Sequence, residues 1–134
     1  MFRSMVESHK RGADQRELDP LTERVRACFD CASMCTMCAD ACLAEDRVTE
    51  LRYCIRTDLD CADICLATGK IAARQTLPSR DILRAQLTAC LTACQVCAVE
   101  CEQHAMHHDH CRMCAEACRR CERACDALLA IVPQ

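Results

Sequence analysis

Seventeen of the 134 residues are cysteine, and their spacing constrains the fold more than any other feature. They fall in four sets. Cys28, Cys31, Cys35, Cys38 and Cys42 step by 3, 4, 3, 4, and Cys54, Cys61 and Cys65 step by 7, 4. Cys90, Cys94, Cys97 and Cys101 step by 4, 3, 4, and Cys111, Cys114, Cys118, Cys121 and Cys125 step by 3, 4, 3, 4. Such steps keep side chains on one face of an α-helix, the a/d stripe of a heptad that usually carries Leu or Ile into a helical core. With two stripe positions in seven, chance placement of all seventeen is on the order of one in a million, register choice included. Small thiols forfeit burial energy relative to Leu or Ile, so packing alone does not account for a whole seam of them.

The four sets predict four helices. The first runs from about residue 20 to 44, with Asp19 as N-cap and Pro20 at the first helical position. The second spans about 47 to 74, with Gly69 a weak point near its end. Leu77-Pro78-Ser79 breaks the chain, and Ser79 caps a third helix over about 80 to 105. A turn through Met106, His107, His108 and Asp109 leads to a fourth, about 110 to 131, with Asp109 as candidate N-cap. Short connections between long helices predict an all-α, antiparallel up-down-up-down four-helix bundle with a cysteine-lined core. Two Gly and three Pro are too few for an all-β fold. The polar segment 1–18 precedes this domain, which takes residues 19–134. No run of about 18 apolar residues is present, and a net charge of −3 leaves no basic footprint for nucleic acid.

Residues 1–20 are charged and lack the apolar stretch of a secretory signal. That predicts a cytoplasmic location with reduced thiols, where dense cysteine means metal or redox work. Disulfides within one helix are disfavoured. Residues three or four apart hold their Cβ atoms about 5–6 Å apart, and a disulfide wants about 3.5–4.5 Å. A metal bridges such pairs without strain, and two-coordinate thiolate sites suit Cu(I), a soft ion matched to soft sulfur. Bare thiolates in one core would repel, so the empty protein holds mostly protonated thiols. Each Cu(I) displaces a proton, and neutrality is approached near one ion per thiolate, on the order of 15–20 per chain. A tetrahedral zinc or cadmium site consumes four thiolates, which limits that alternative to about four ions. A thiol–disulfide redox protein, using bridges between helices, is the other alternative.

Three polar residues share the stripe. Asp58 sits between Cys54 and Cys61 where a fourth cysteine of its helix would fall, and His104 and His108 continue the seam beyond Cys101. A buried carboxylate is costly unless paired, so Asp58 is expected to pair with His104 or His108 in a polar entry zone where imidazole also ligates copper. His107, His110 and His9 are expected to face solvent. Met34 and Met37 lie off the seam as packing residues, as do Phe29 and Tyr53. Met106 and Met113 lie near the histidine turn, where their thioethers could pass copper.

The repeated steps Cys31–Cys35, Cys38–Cys42, Cys61–Cys65, Cys90–Cys94, Cys97–Cys101, Cys114–Cys118 and Cys121–Cys125 give the chain a resemblance to the copper storage proteins, over about residues 20–131. The resemblance implies a four-helix bundle holding many Cu(I) ions on its thiolates, a homotetramer, and membership of the cytosolic branch. Asp58, His104 and His108 depart from an all-cysteine lining. The function expected is storage and sequestration of Cu(I), without catalysis. A copper chaperone or an apo-cuproenzyme is the expected protein partner, and neither nucleic acid nor membrane is.

Overall fold

Alternating apolar and charged positions in Ala-, Leu- and Arg-rich segments favour helix throughout, and helix is what forms. The computed structural model describes residues 1–10 and 15–132, with the side chains of 15–17 left aside. Residues 11–14 of the polar segment, and the last two of the chain, lie outside the described residues. The elements are α1 (Phe2–Glu7), α2 (Gln15–Leu43), a 3-10 turn (Val48–Leu51), α3 (Arg52–Ala73), α4 (Arg80–His104) and α5 (Asp109–Ile131). No strand occurs among the described residues.

The helix starts differ from expectation in three places, the second helix opening as the 3-10 turn Val48–Leu51 and becoming α-helical only at Arg52. Helix α2 begins at Gln15, so Pro20 stands inside it rather than at its first position. The reason is burial: Leu18, Leu21 and Val25 precede Cys28 on the same 3-4-3 steps and are buried, which extends the seam upstream. That burial outweighs the one helical hydrogen bond a proline removes. Helix α5 takes His108 as N-cap, with no side-chain bond, and Asp109 is its first helical residue, where its charge favours the helix dipole. Ser79 caps α4 as expected, its Oγ accepting from the Ile82 N–H at 3.3 Å. The break before it turns on Leu77, exposed and left-handed at φ 54°.

Helix α2 packs against α3 and α5, and α4 packs against the same two helices. The surface they enclose is the cysteine stripe. All seventeen cysteines are buried, with Leu51, Leu87, Ala32, Ala62, Ala98 and Ala115 around them. Helix α4 is long and apolar enough to cross a membrane by length and composition. Its apolar character includes the core thiols Cys90, Cys94, Cys97 and Cys101, which hydropathy counts as apolar. Beyond Cys28 a smaller apolar cluster of Leu21, Val25 and Ala72 gathers Phe2, Val6, Phe29 and Leu128. Gly69 is essential to that cluster, because a Cβ there would lie 2.8 Å from Phe29 Cε1. The Phe29 ring in turn meets Phe2 of α1 edge-on, centroids 6.2 Å apart. One end of the thiol stripe therefore terminates in hydrocarbon.

Candidate metal centre

The 3-4 spacing turns every cysteine of the four long helices inward, and the thiols meet. Cys35 Sγ lies 3.6 Å from both Cys118 and Cys114, and 3.9 Å from Cys97. Cys31 stands 3.8 Å from Cys35 and Cys118 and 4.0 Å from Cys61. Cys65 is 3.7 Å from Cys61 and Cys94, 3.8 Å from Cys90 and 3.9 Å from Cys121. Cys121 also meets Cys28 at 3.8 Å. Toward the other end, Cys54 meets Cys101 at 3.8 Å and Cys38 meets Cys111 at 3.9 Å. The network runs from Cys28, Cys90, Cys121 and Cys125 to Cys38, Cys42, Cys54 and Cys111, each quartet having its sulfurs within 4.8 Å of one another. All seventeen thiols are free.

These distances fit metal bridging. Tetrahedral thiolate zinc has sulfur–sulfur edges of about 3.8 Å, and a linear bridge about 4.6 Å, from a metal–sulfur bond of roughly 2.3 Å. Both lie within small rotamer shifts of what is present. The electrostatics are collective. Hydrogen bonds with Cys118 and Cys121 hold the Cys31 thiol down, while those with Cys114 and Cys118 push Cys35 up. Burial pushes Cys42 up, and the neighbouring thiols and Asp58 add to it. At Cys111 the bond with Cys38 lowers the value, but the bond with Cys54 and burial carry it up to about 12. Such a core binds protons or monovalent cations in their place.

Asp58 is fully buried, as its position on the stripe predicts. Its partners are thiols rather than the imidazoles expected. Oδ1 accepts from Cys97 at 3.1 Å, Cys114 at 3.3 Å and Cys101 at 3.4 Å, and Oδ2 faces Cys54 at 4.0 Å. Burial, then the negative charge of nearby thiolates, pushes this carboxyl up to about 10. It is a neutral acid inside the sulfur core.

The histidines are arranged differently from the sequence reading. His104 Nε2 turns to Glu100 Oε1 at 3.1 Å, and His108 Nδ1 turns to Glu45 Oε2 at 2.8 Å. His110, expected in solvent, is the imidazole found against the thiols. Its Nδ1 lies 3.4 Å from Cys38 Sγ, 3.6 Å from Cys111 and 4.0 Å from Cys42. Its Nε2 is buried without a hydrogen bond among the described residues, 3.8 Å from Glu45 Oε1. The His108 and His110 rings stack with centroids 5.3 Å apart. The one sequence signal for it is heptad phase: His110 immediately precedes the stripe residue Cys111, at a flanking position from which a side chain can reach the seam. His107 and Met106 are exposed, Met113 less so, and Met34 is half-buried. Phe29 packs as described above, and Tyr53 is exposed.

An all-helical chain whose interior is a continuous sheet of thiols defines a class of multi-site metal-binding proteins. The family model described as copper storage protein matches residues 17–130, and the chain belongs to that family. It is similar to solved structures of a copper storage protein, Ccsp, from Streptomyces lividans. The form loaded with 10 copper equivalents is 45% identical with a TM-score of 0.89, covering 97% of this chain and 98% of that one. A structure of copper loading to the cytosolic copper storage protein, with five coppers, is 50% identical at a TM-score of 0.83, covering 86% and 96%. A variant of the same protein with two histidine-to-alanine substitutions is 49% identical at 0.82, covering 84% and 94%. Comparison with curated proteins gave no match.

Proposed function

We propose that this chain stores and sequesters Cu(I), holding many ions on its core thiolates and keeping free copper low rather than catalysing a reaction. The observation that carries the reading is the unbroken contact network of seventeen buried, unbridged thiols. Soft sulfur in two-coordinate reach favours Cu(I), and charge neutrality sets the load near one ion per thiolate, on the order of 15–20. The Cu(I) ligands are the seventeen cysteines from Cys28 to Cys125, with the Asp58 carboxyl standing between them as a polar neighbour. The architecture is an antiparallel up-down-up-down four-helix bundle of α2, α3, α4 and α5, so its domain starts at Gln15, upstream of the boundary at residue 19 that the sequence led us to expect.

Copper enters at the end formed by Cys38, Cys42, Cys111 and His110. The imidazole there is buried on one nitrogen and faces three thiols on the other, while the opposite end is filled by Leu21, Val25, Phe29 and Phe2. His104 and His108, held by Glu100 and Glu45, form the outer imidazoles of this mouth. The protein works in the cytoplasm as a homotetramer, exchanging copper with a chaperone or an apo-cuproenzyme. Titration of the reduced protein with Cu(I) against a chromophoric chelator tests the reading. Continued uptake beyond ten ions supports it; saturation at four or fewer rejects it in favour of a tetrahedral zinc or cadmium buffer.

A further inference from the structure

The sulfur core contains one oxygen ligand set, and its geometry differs from the rest. Asp58 Oδ1 stands 3.1, 3.3 and 3.4 Å from the sulfurs of Cys97, Cys114 and Cys101. Cys97 and Cys101 are 3.9 Å apart. The carboxylate comes from α3, two thiols from α4 and one from α5. For zinc-class ions, bonds of roughly 2.3 Å to sulfur and 2.0–2.2 Å to oxygen give tetrahedral edges of about 3.8 Å between sulfurs and about 3.5 Å between oxygen and sulfur. The three oxygen–sulfur distances and the Cys97–Cys101 distance already stand within a few tenths of an ångström of those edges.

We propose that Asp58, Cys97, Cys101 and Cys114 form a tetrahedral site for a single borderline divalent cation of the zinc class, distinct in chemistry from the sulfur-only sites around it. Three observations support it. Carboxylate oxygen is a poor ligand for Cu(I) and a good one for zinc-class ions, so the preference for Cu(I) is least at this position. Asp58 is completely buried and its side-chain partners among the described residues are thiols alone. A buried acid with no cationic partner is a standing cost, which a bound dication relieves; the neutral thiols of the four-sulfur quartets carry no such demand. Finally, Cys54 faces Oδ2 and Cys35 meets Cys114, so neighbours that remain thiols can donate to the charged site. Binding displaces the protons of the three thiols and of the carboxyl, leaving the same net charge as a four-cysteine zinc centre.

The site is tested apart from the copper reading, by adding the cation to the reduced, copper-free protein. Co2+ is the probe. One equivalent added to the full chain should give tetrahedral ligand-field bands and, by X-ray absorption, a shell of three sulfurs and one oxygen. Asp58→Asn should weaken that first equivalent at least tenfold. A four-sulfur shell in the native chain, an unchanged affinity in D58N, or no uptake at micromolar Co2+ would each overturn the assignment. The shell measured on the native chain stands whether or not the variant folds, and the Cu(I) capacity of the same samples, read separately, tests storage.

Discussion

Replacing Asp58 by Asn should stabilise the copper-free protein at neutral pH, by an amount that grows with pH. The native carboxyl is pushed up to about 10 by burial, from an ordinary value of 3.8. A group raised on folding contributes stability that is fully present below its unfolded value and is lost as pH rises toward its folded value. Between those limits the unfolded chain has released the proton and the native chain has kept it. The native state therefore loses about 1.4 kcal/mol per pH unit from this residue alone. From pH 5 to pH 8 the loss is about 4 kcal/mol, a large share of a typical domain's 5–15 kcal/mol. Asn has the same shape, keeps a carbonyl oxygen for the thiols of Cys97, Cys101 and Cys114, and has no proton to lose. Urea unfolding of both proteins, reduced and metal-free, at half-unit steps from pH 5 to 8 isolates the effect. Every other titrating group cancels between them, and unfolded thiols stay largely protonated in that range. The stability gap should open steadily with pH, D58N being the more stable. Parallel curves would refute the neutral buried acid, and a gap that closes with pH would reverse its sign.

Other perturbations have defined outcomes. His110→Ala should slow Cu(I) uptake from a chelate several-fold while leaving capacity nearly unchanged; equal uptake rates would remove His110 from the entry end. Loading followed in a pH-stat should release about one proton per Cu(I), and a ratio well below one would mean the empty core is already ionised. Gly69→Val forces a side chain into the Phe29 ring, where a Cβ alone would come within 2.8 Å; thermal unfolding should show a loss of about 1–3 kcal/mol. Phe2→Ala removes the edge-on contact with Phe29 and should cost about 1 kcal/mol, with copper capacity unaffected.

The helices and the convergence of the thiols were legible because a period of 3.5 in one residue type is a direct statement of which face turns inward. Asp58 was placed correctly by the same arithmetic. Its partners were not, because pairing depends on how neighbouring helices are levelled against one another. Seam position alone cannot say that Cys97, Cys101 and Cys114 stand at its height while His104 and His108 reach outward to Glu100 and Glu45. His110 was lost to a simpler cause: a residue flanking the stripe at a helix start can lean either way, and stacking on His108 decides it. The start of α2 was misread because Pro20 is a strong local signal. The burial of Leu18 that overrides it comes from tertiary packing, as does the fit of Phe29 over Gly69.

Whether the thiol stripe holds a file of copper ions is decided by crystals of the fully copper-loaded protein, measured on both sides of the copper absorption edge. More than ten anomalous peaks should line the thiol stripe between Cys28 and Cys42, bound mainly through pairs of cysteine sulfurs. Four or fewer isolated peaks in tetrahedral cages, or density joining sulfur to sulfur without metal, would contradict it.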